Sequence, residues 1–168
     1  GWHIECSAMV IKYLGETIDI HCGGVDHIPI HHTNEIAQSE VATGKKFANF
    51  WLHNEFMLVD GKKMSKSLGN FYTLSQIKEK GFSPLAFRYL CMSVHYRSQM
   101  NFTLDSLEDA ANAVKSINDF VFRLDAKANS LPRNKKIETA LKEAKENFVK
   151  SLNNDLDTPN ALAAVFKL

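Results

Sequence analysis

Thr17-Ile18-Asp19-Ile20-His21-Cys22-Gly23-Gly24-Val25-Asp26 is the stretch that decides the fold. Thr17 to His21 alternates apolar and polar side chains, the period of a half-buried strand. Cys22 to Asp26 then reads as a glycine turn at the strand's carboxyl end, where open α/β sheets bind their ligands. Helical patterns lie on either side. Ser7 to Leu14 carries Ala8, Met9, Ile11 and Leu14 and stops at Gly15. Asn34 to Thr43 carries Ile36, Ala37 and Val41 and ends at Gly44. Trp2 to Cys6 reads as a strand. Phe47 to Val59 is aromatic and β-prone, with two strands expected around Asn54-Glu55, and Asp60-Gly61 opens a turn.

From Thr73 the period changes. Ser75 to Lys80 is a short helix ending at Gly81. Ser83-Pro84 is a helix start, with serine as the cap and proline at the first position, leading into Leu85 to His95. Asp105 to Leu124 sets Leu107, Ala110, Val114, Ile117, Val121 and Leu124 on one broad face. Residues 129–134, with Pro132, read as a linker. Ile137 to Leu152 is amphipathic, and Pro159 begins a last helix. The expected class is α/β up to about residue 72 and all-helical thereafter.

Composition narrows the function. The chain has 168 residues, 45% of them hydrophobic, so it can bury a core. A formal net charge of +1 gives no global signal for nucleic acid, and any RNA contact must be a local patch. Cys6, Cys22 and Cys91 are odd in number and widely spaced, which argues against a disulfide scaffold and fits a reducing compartment. No apolar run approaches the roughly 20 residues that span a bilayer. Gly1 is not a methionine, and Phe166-Lys167-Leu168 falls inside an amphipathic pattern, so an internal piece of a longer protein is expected.

Two clusters carry chemistry. Lys63-Met64-Ser65-Lys66-Ser67 places two lysines and two hydroxyls in five residues. Such a loop can close over a polyphosphate and neutralise charge as a phosphorus–oxygen bond breaks. It also fits a solvated basic turn. Upstream, His31 and Glu35 are four apart and share a helix face; His32 and Glu35, three apart, serve equally. With Cys6 they supply a thiolate, an imidazole and a carboxylate, a credible zinc set. The competing reading makes His31 and Glu35 a helix-start pair and Cys6 a small buried hydrophobe.

Taken together, the chain resembles cysteinyl-tRNA synthetase, a class I aminoacyl-tRNA synthetase. The matching stretches are GWHIECSAM (1–9), DIHCGGVD (19–26), HHTNEIAQSE (31–40), KMSKSLGNF (63–71), HYRSQMNFT (95–103) and NDLDTPNALA (154–163). The resemblance implies that residues 1–72 are the C-terminal half of a Rossmann-like catalytic domain. Residues 73–131 would be a helical connection of the stem-contact type, and 132–168 the start of a helical anticodon-binding region. It implies zinc on Cys6, His31 and Glu35, with a fourth ligand, a cysteine, outside this sequence; the HIGH-type motif is also absent. It implies ATP with Mg²⁺ on Gly23, Gly24, Asp26 and Lys63, Met64, Ser65, Lys66 and Ser67. Lys66 is the first catalytic candidate and Lys63 the second. Trp2 and His21 would line the cysteine pocket. The implied partners are L-cysteine, ATP and tRNA-Cys, with no membrane, a cytoplasmic location and a monomeric parent. Lys115, Arg123, Lys127, Arg133, Lys135 and Lys136 are candidate tRNA-backbone contacts. Two alternatives stay open: a ligase that activates cysteine in the same way and transfers it to an amino-sugar, and a non-catalytic zinc-bearing RNA-binding module.

Overall fold

A computed structural model describes residues 1–127 and 134–168, with side chains up to residue 125 and from residue 134. The expected linker positions 129–133, the boundary between 131 and 132, and the side chains of Lys127 and Arg133 lie outside the described residues. The chain forms two compact units, Gly1–Phe56 and Met57–Leu168.

The first unit runs α1 (His3–Leu14), β1 (Ile18–Gly24), a 3₁₀ turn (Val25–His27), a π-helical turn (Ile28–His32), α2 (Thr33–Thr43) and β2 (Ala48–Asn54). β1 and β2 pair in parallel, from Ile18 opposite Ala48 to Gly24 opposite Asn54. Parallel neighbours need a crossover, which the two turns and α2 supply. Gly44 ends α2 at φ 70, a conformation that a β-carbon disfavours, and its N–H caps the Glu40 carbonyl.

Two expectations fail here. Trp2 to Cys6 is not a strand: the helix already begins at His3, and Cys6 lies within it. The helical period runs back past Ser7, which is buried, and Glu5 in the first turn opposes the helix dipole. Nor do Cys22, Gly23 and Gly24 form a turn. Strand pairing to His53 and Asn54 carries β1 through Gly24, and the chain turns only at Val25.

The interior of this unit is unusual. Its buried apolar side chains are Ile18, Phe47 and Ala48; Ser7, His31, His32, Glu35 and Ser39 are buried beside them. Among the described residues every buried polar side chain belongs to this unit. Ile20 and Phe50, opposite each other in the sheet, are exposed at 61% and 70%.

The second unit comprises β3 (Met57–Val59), β4 (Lys62–Lys63), α3 (Leu74–Glu79), α4 (Pro84–Met92), β5 (Met100–Phe102), α5 (Leu104–Lys127), α6 (Lys135–Asn153) and α7 (Thr158–Val165). Its sheet has the order β4-β3-β5, with β4 antiparallel and β5 parallel to β3. Asp60 and Gly61 both take positive φ, 50 and 72, the backbone of a tight hairpin whose twist suits the flanking strands. The expectation of an all-helical region after residue 72 is therefore corrected by β5. Three residues carry no readable period, and Phe102 becomes strand because β3 offers a free edge and a core to fill. Asp60 N–H donates to the Phe102 carbonyl at 3.0 Å, and Gly61 N–H to Asn101 Oδ1 at 2.7 Å. Val59, Ile77, Leu90, Phe102 and Leu107 form the centre of the core.

Local chemistry starts the helices where the sequence indicates. Thr73 and Gln76 form a reciprocal capping box on α3, and the Ser83 hydroxyl accepts from Leu85 N–H ahead of Pro84. Ser83→Ala is expected to lower the stability of the second unit by about 1 kcal/mol. A urea midpoint unchanged by this substitution would show that the cap is dispensable.

His95-Tyr96-Arg97, at the end of α4's connection, grips the turn between α6 and α7. The Tyr96 hydroxyl donates to Asp155 Oδ1 at 2.6 Å, Arg97 Nε lies 2.7 Å from Oδ2, and His95 Nε2 donates to the Asp155 carbonyl at 3.0 Å. Asp155 and Leu156 both have positive φ, 54 and 55, so this grip holds a strained turn. The Tyr96 hydroxyl and the Arg97 guanidinium keep the Asp155 carboxyl below its ordinary range.

Candidate functional site

Six of the seven histidines lie in the first unit, at 3, 21, 27, 31, 32 and 53. They gather around Glu35, whose side chain is completely buried. His31 and His32, the last two residues of the π-helical turn, are both buried just before α2 begins. α1 contributes Cys6 and His3, and β1 contributes His21.

Glu35 Oε2 accepts from His21 Nε2 at 2.8 Å and lies 3.5 Å from His31 Nε2 and 3.9 Å from His32 Nε2. Glu35 Oε1 is buried with no hydrogen-bond partner. An orphaned carboxylate oxygen in such a place costs about 1–3 kcal/mol or more unless a ligand satisfies it. Ligand atoms of Cys6, His31 and Glu35 all lie within 4.8 Å of one another, and so do those of His21, His32 and Glu35.

The geometry separates these two sets. Ligands about 2.0–2.1 Å from a tetrahedral zinc are about 3.3 Å apart. The His31–Glu35 separation of 3.5 Å suits that arrangement, whereas His21 at 2.8 Å is at hydrogen-bonding distance from Glu35. The residues present thus fit a metal on Cys6, His31 and Glu35, with His21 orienting the carboxylate. His31 is oriented in turn: its Nδ1 is 2.9 Å from His3 Nδ1, which leaves Nε2 facing Glu35. His32 Nδ1 is 2.7 Å from His53 Nε2.

At His31 and His32, electrostatics favour the neutral imidazole. Burial, reinforced by His21, His53, His27 and His31, pushes the pKa of His32 down to about 4. Burial also lowers that of His31, against the pull of Glu35. Burial, then Glu35 and Glu5, raises the Cys6 thiol, which therefore needs a cation to ionise at neutral pH.

The remaining predicted positions of this unit border the cluster. Trp2 stacks on His31 with ring centroids 4.0 Å apart. A β-carbon on Gly23 would fall 2.5 Å from His32 Cε1 and 2.8 Å from His27 Nδ1. The glycine is needed for imidazole packing. A β-carbon on Gly24 would collide with the Asp26 carboxylate, and Asp26 itself is exposed.

The Lys63–Ser67 loop belongs to the second unit. Lys63 pairs with Leu58 in the β3–β4 hairpin, Met64 packs on the core, and Lys66 and Ser67 are exposed. Ser65 Oγ and Ser67 Oγ share a hydrogen bond of 2.7 Å, and Lys66 Nζ lies over the Phe71 ring, 5.7 Å from its centroid. Among the candidate tRNA contacts, Lys115 pairs with Asp119 at 2.6 Å.

His3, His27 and His53 join the cluster without a local sequence pattern that announces them. The signal available was the concentration of histidine in the first 53 residues; no spacing rule joins residues so far apart.

The family model described as the class I (C) tRNA synthetase catalytic domain matches residues 1–112. A cysteine–tRNA ligase of Solibacter usitatus is 52% identical over 167 residues, covering 99% of this chain and 36% of its own length. One from Koribacter versatilis is 51% identical over 168 residues, 100% of this chain and 34% of its own. The chain spans about a third of the length of these curated relatives. Among solved structures, LeuRS of Agrobacterium radiobacter, in a ternary complex with tRNA and LeuAMS, superposes with a TM-score of 0.69 at 20% identity. That match covers 88% of this chain and 21% of the other. Mycobacterium tuberculosis methionyl-tRNA synthetase, bound to methionyl-adenylate, gives 0.64 at 18% identity over 89% and 31%. At these identities the likeness is one of fold.

Proposed function

The chain belongs to the class I (C) tRNA synthetase catalytic-domain family, and from this we propose that it is the metal-bearing and KMSKS portion of a cysteine–tRNA ligase. The parent chain would activate L-cysteine with ATP and Mg²⁺, giving cysteinyl-adenylate and pyrophosphate, and pass the cysteinyl group to tRNA-Cys in the cytoplasm. Residues 1–72 serve as the second half of the catalytic domain, 73–131 as a connection towards the acceptor stem, and 132–168 as the start of the anticodon-binding helices.

The observation that carries the reading is the convergence of Cys6 and His31 on Glu35, which is buried and whose Oε1 has no hydrogen-bond partner while Oε2 is held by His21. Zinc bound there, completed by a ligand from the rest of the parent, prefers a thiolate to a hydroxyl and so separates cysteine from serine. His21 holds Glu35 in position, and His3 holds His31. Trp2, stacked on His31, closes one side of the pocket. Gly23 lets the imidazoles approach, and Gly24 with Asp26 stands at the carboxyl end of β1, where a ribose can be held. In the second unit Lys66, and next Lys63, neutralise charge on the ATP phosphates as the α-phosphate is attacked; Ser65 and Ser67 shape the loop.

The test is made on the longer parent chain. It is expected to catalyse cysteine-dependent ATP–pyrophosphate exchange and to charge tRNA-Cys, while residues 1–168 alone do neither. Transfer to an amino-sugar with no charging of tRNA would assign the parent to the paralogous ligases instead. Binding of tRNA without any exchange would make it a non-catalytic RNA-binding module.

A further inference from the structure

Within the Lys63–Phe71 segment the structure assigns Asn70 as the clasp that gives the lysine loop its working shape, a role that rests on the adenylation reading above. Ser65 N–H donates to Asn70 Oδ1 at 2.8 Å, and Asn70 Nδ2 donates to the Lys63 carbonyl at 3.1 Å. A backbone N–H can only donate and a carbonyl can only accept, so these two bonds fix which way the amide faces. One side chain therefore joins the backbone on both sides of Met64, whose own side chain is seated on the core. Gly69, at φ 67, bends the chain so that Asn70 can reach back, and its N–H donates to the Lys66 carbonyl at 3.2 Å.

The result is a closed loop pinned at one apolar point and clasped by one amide. Lys63 and Lys66 project from it on exposed side chains. Catalysis of phosphoryl-type chemistry by lysine depends on where the ammonium stands, and a misplacement of about 1 Å can cost on the order of 10²-fold. Asn70 touches no reacting atom in this role; it is a positioning residue acting through the loop backbone. Aspartate keeps the acceptor for Ser65 N–H but loses the donor to Lys63, so it restores half of the clasp. Alanine restores neither half.

Two measurements on the longer parent chain test this. In cysteine-dependent ATP–pyrophosphate exchange, Asn70→Ala is expected to lower kcat at least tenfold with the KM for cysteine unchanged, and Asn70→Asp to recover part of the loss. Zinc content and Tm stay at the wild-type level. Trypsin is expected to cut after Lys63 and Lys66 several-fold faster in Asn70→Ala. Exchange within twofold of wild type for Asn70→Ala overturns the clasp and leaves the adenylation reading intact. A lower Tm or lost zinc in that variant makes Asn70 merely structural and overturns the positioning role. Absence of exchange in the wild-type parent sinks the adenylation reading, and the positioning role with it.

Discussion

Lys66→Ala in the longer parent chain is expected to slow cysteine-dependent ATP–pyrophosphate exchange by on the order of 10²–10³-fold. Lys66 stands free of the sheet, on the exposed side of the clasped loop, with its ammonium resting over the Phe71 ring. An exposed cation–π contact of this kind is worth only about 0.5–1 kcal/mol, so the lysine can leave it for a phosphate at little cost. The loss should appear in kcat, because the charge it opposes develops only as pyrophosphate departs. The KM for cysteine is expected to hold, since the proposed zinc site for the amino acid lies in the other unit. Lys63→Ala is expected to have a smaller effect: Lys63 is held in β4 and has less freedom to follow the phosphates. A Lys66→Ala parent that retained exchange within threefold would remove the loop from the chemistry and return it to the status of a solvated basic turn.

The second large effect concerns metal. Cys6→Ala and Glu35→Gln are each expected to weaken zinc binding by the longer parent by on the order of 10²-fold or more, because losing even an orienting partner costs about 10–100-fold. His32→Gln is expected to keep zinc near its wild-type affinity, since the set containing His21 and His32 has Glu35 committed to a 2.8 Å hydrogen bond. Zinc retained per chain after dialysis against a chelator reads this directly, without any activity assay. Loss of zinc in His32→Gln together with its retention in Cys6→Ala would exchange the two ligand sets and undo the thiolate argument for cysteine. The Glu35→Gln variant also tests the orphaned oxygen: an amide is a poor metal ligand, yet it fills the same space.

Much of this was legible because it is local. Helix starts at Thr73 and Ser83 are written in adjacent side chains that satisfy backbone groups two or three residues on. The Asp60-Gly61 turn follows from which residues tolerate positive φ. His31 and Glu35 share a side by helical spacing, and the KMSKS loop is contiguous. The strand read at Trp2 to Cys6 failed for the opposite reason: five residues are too few to separate a period of 2 from one of 3.6, and burial of Ser7 settled the choice. The glycines of β1 suggest a turn because glycine is a turn former in isolation. Pairing with a parallel partner strand makes them extended instead.

The sequence by itself therefore determined the start of the helix at Ser83-Pro84, the turn at Asp60-Gly61 and the identity of the chemically active side chains, since each depends on neighbours within a few residues. Only the tertiary structure decided which of those side chains meet. The approach of Cys6 to His31 and Glu35, the hold of His21 on the carboxylate, the pairing of β5 with β3, and the grip of Tyr96 and Arg97 on Asp155 all join residues 14 to 59 positions apart. Such contacts depend on how buried surfaces close on one another, and no short-range period encodes that.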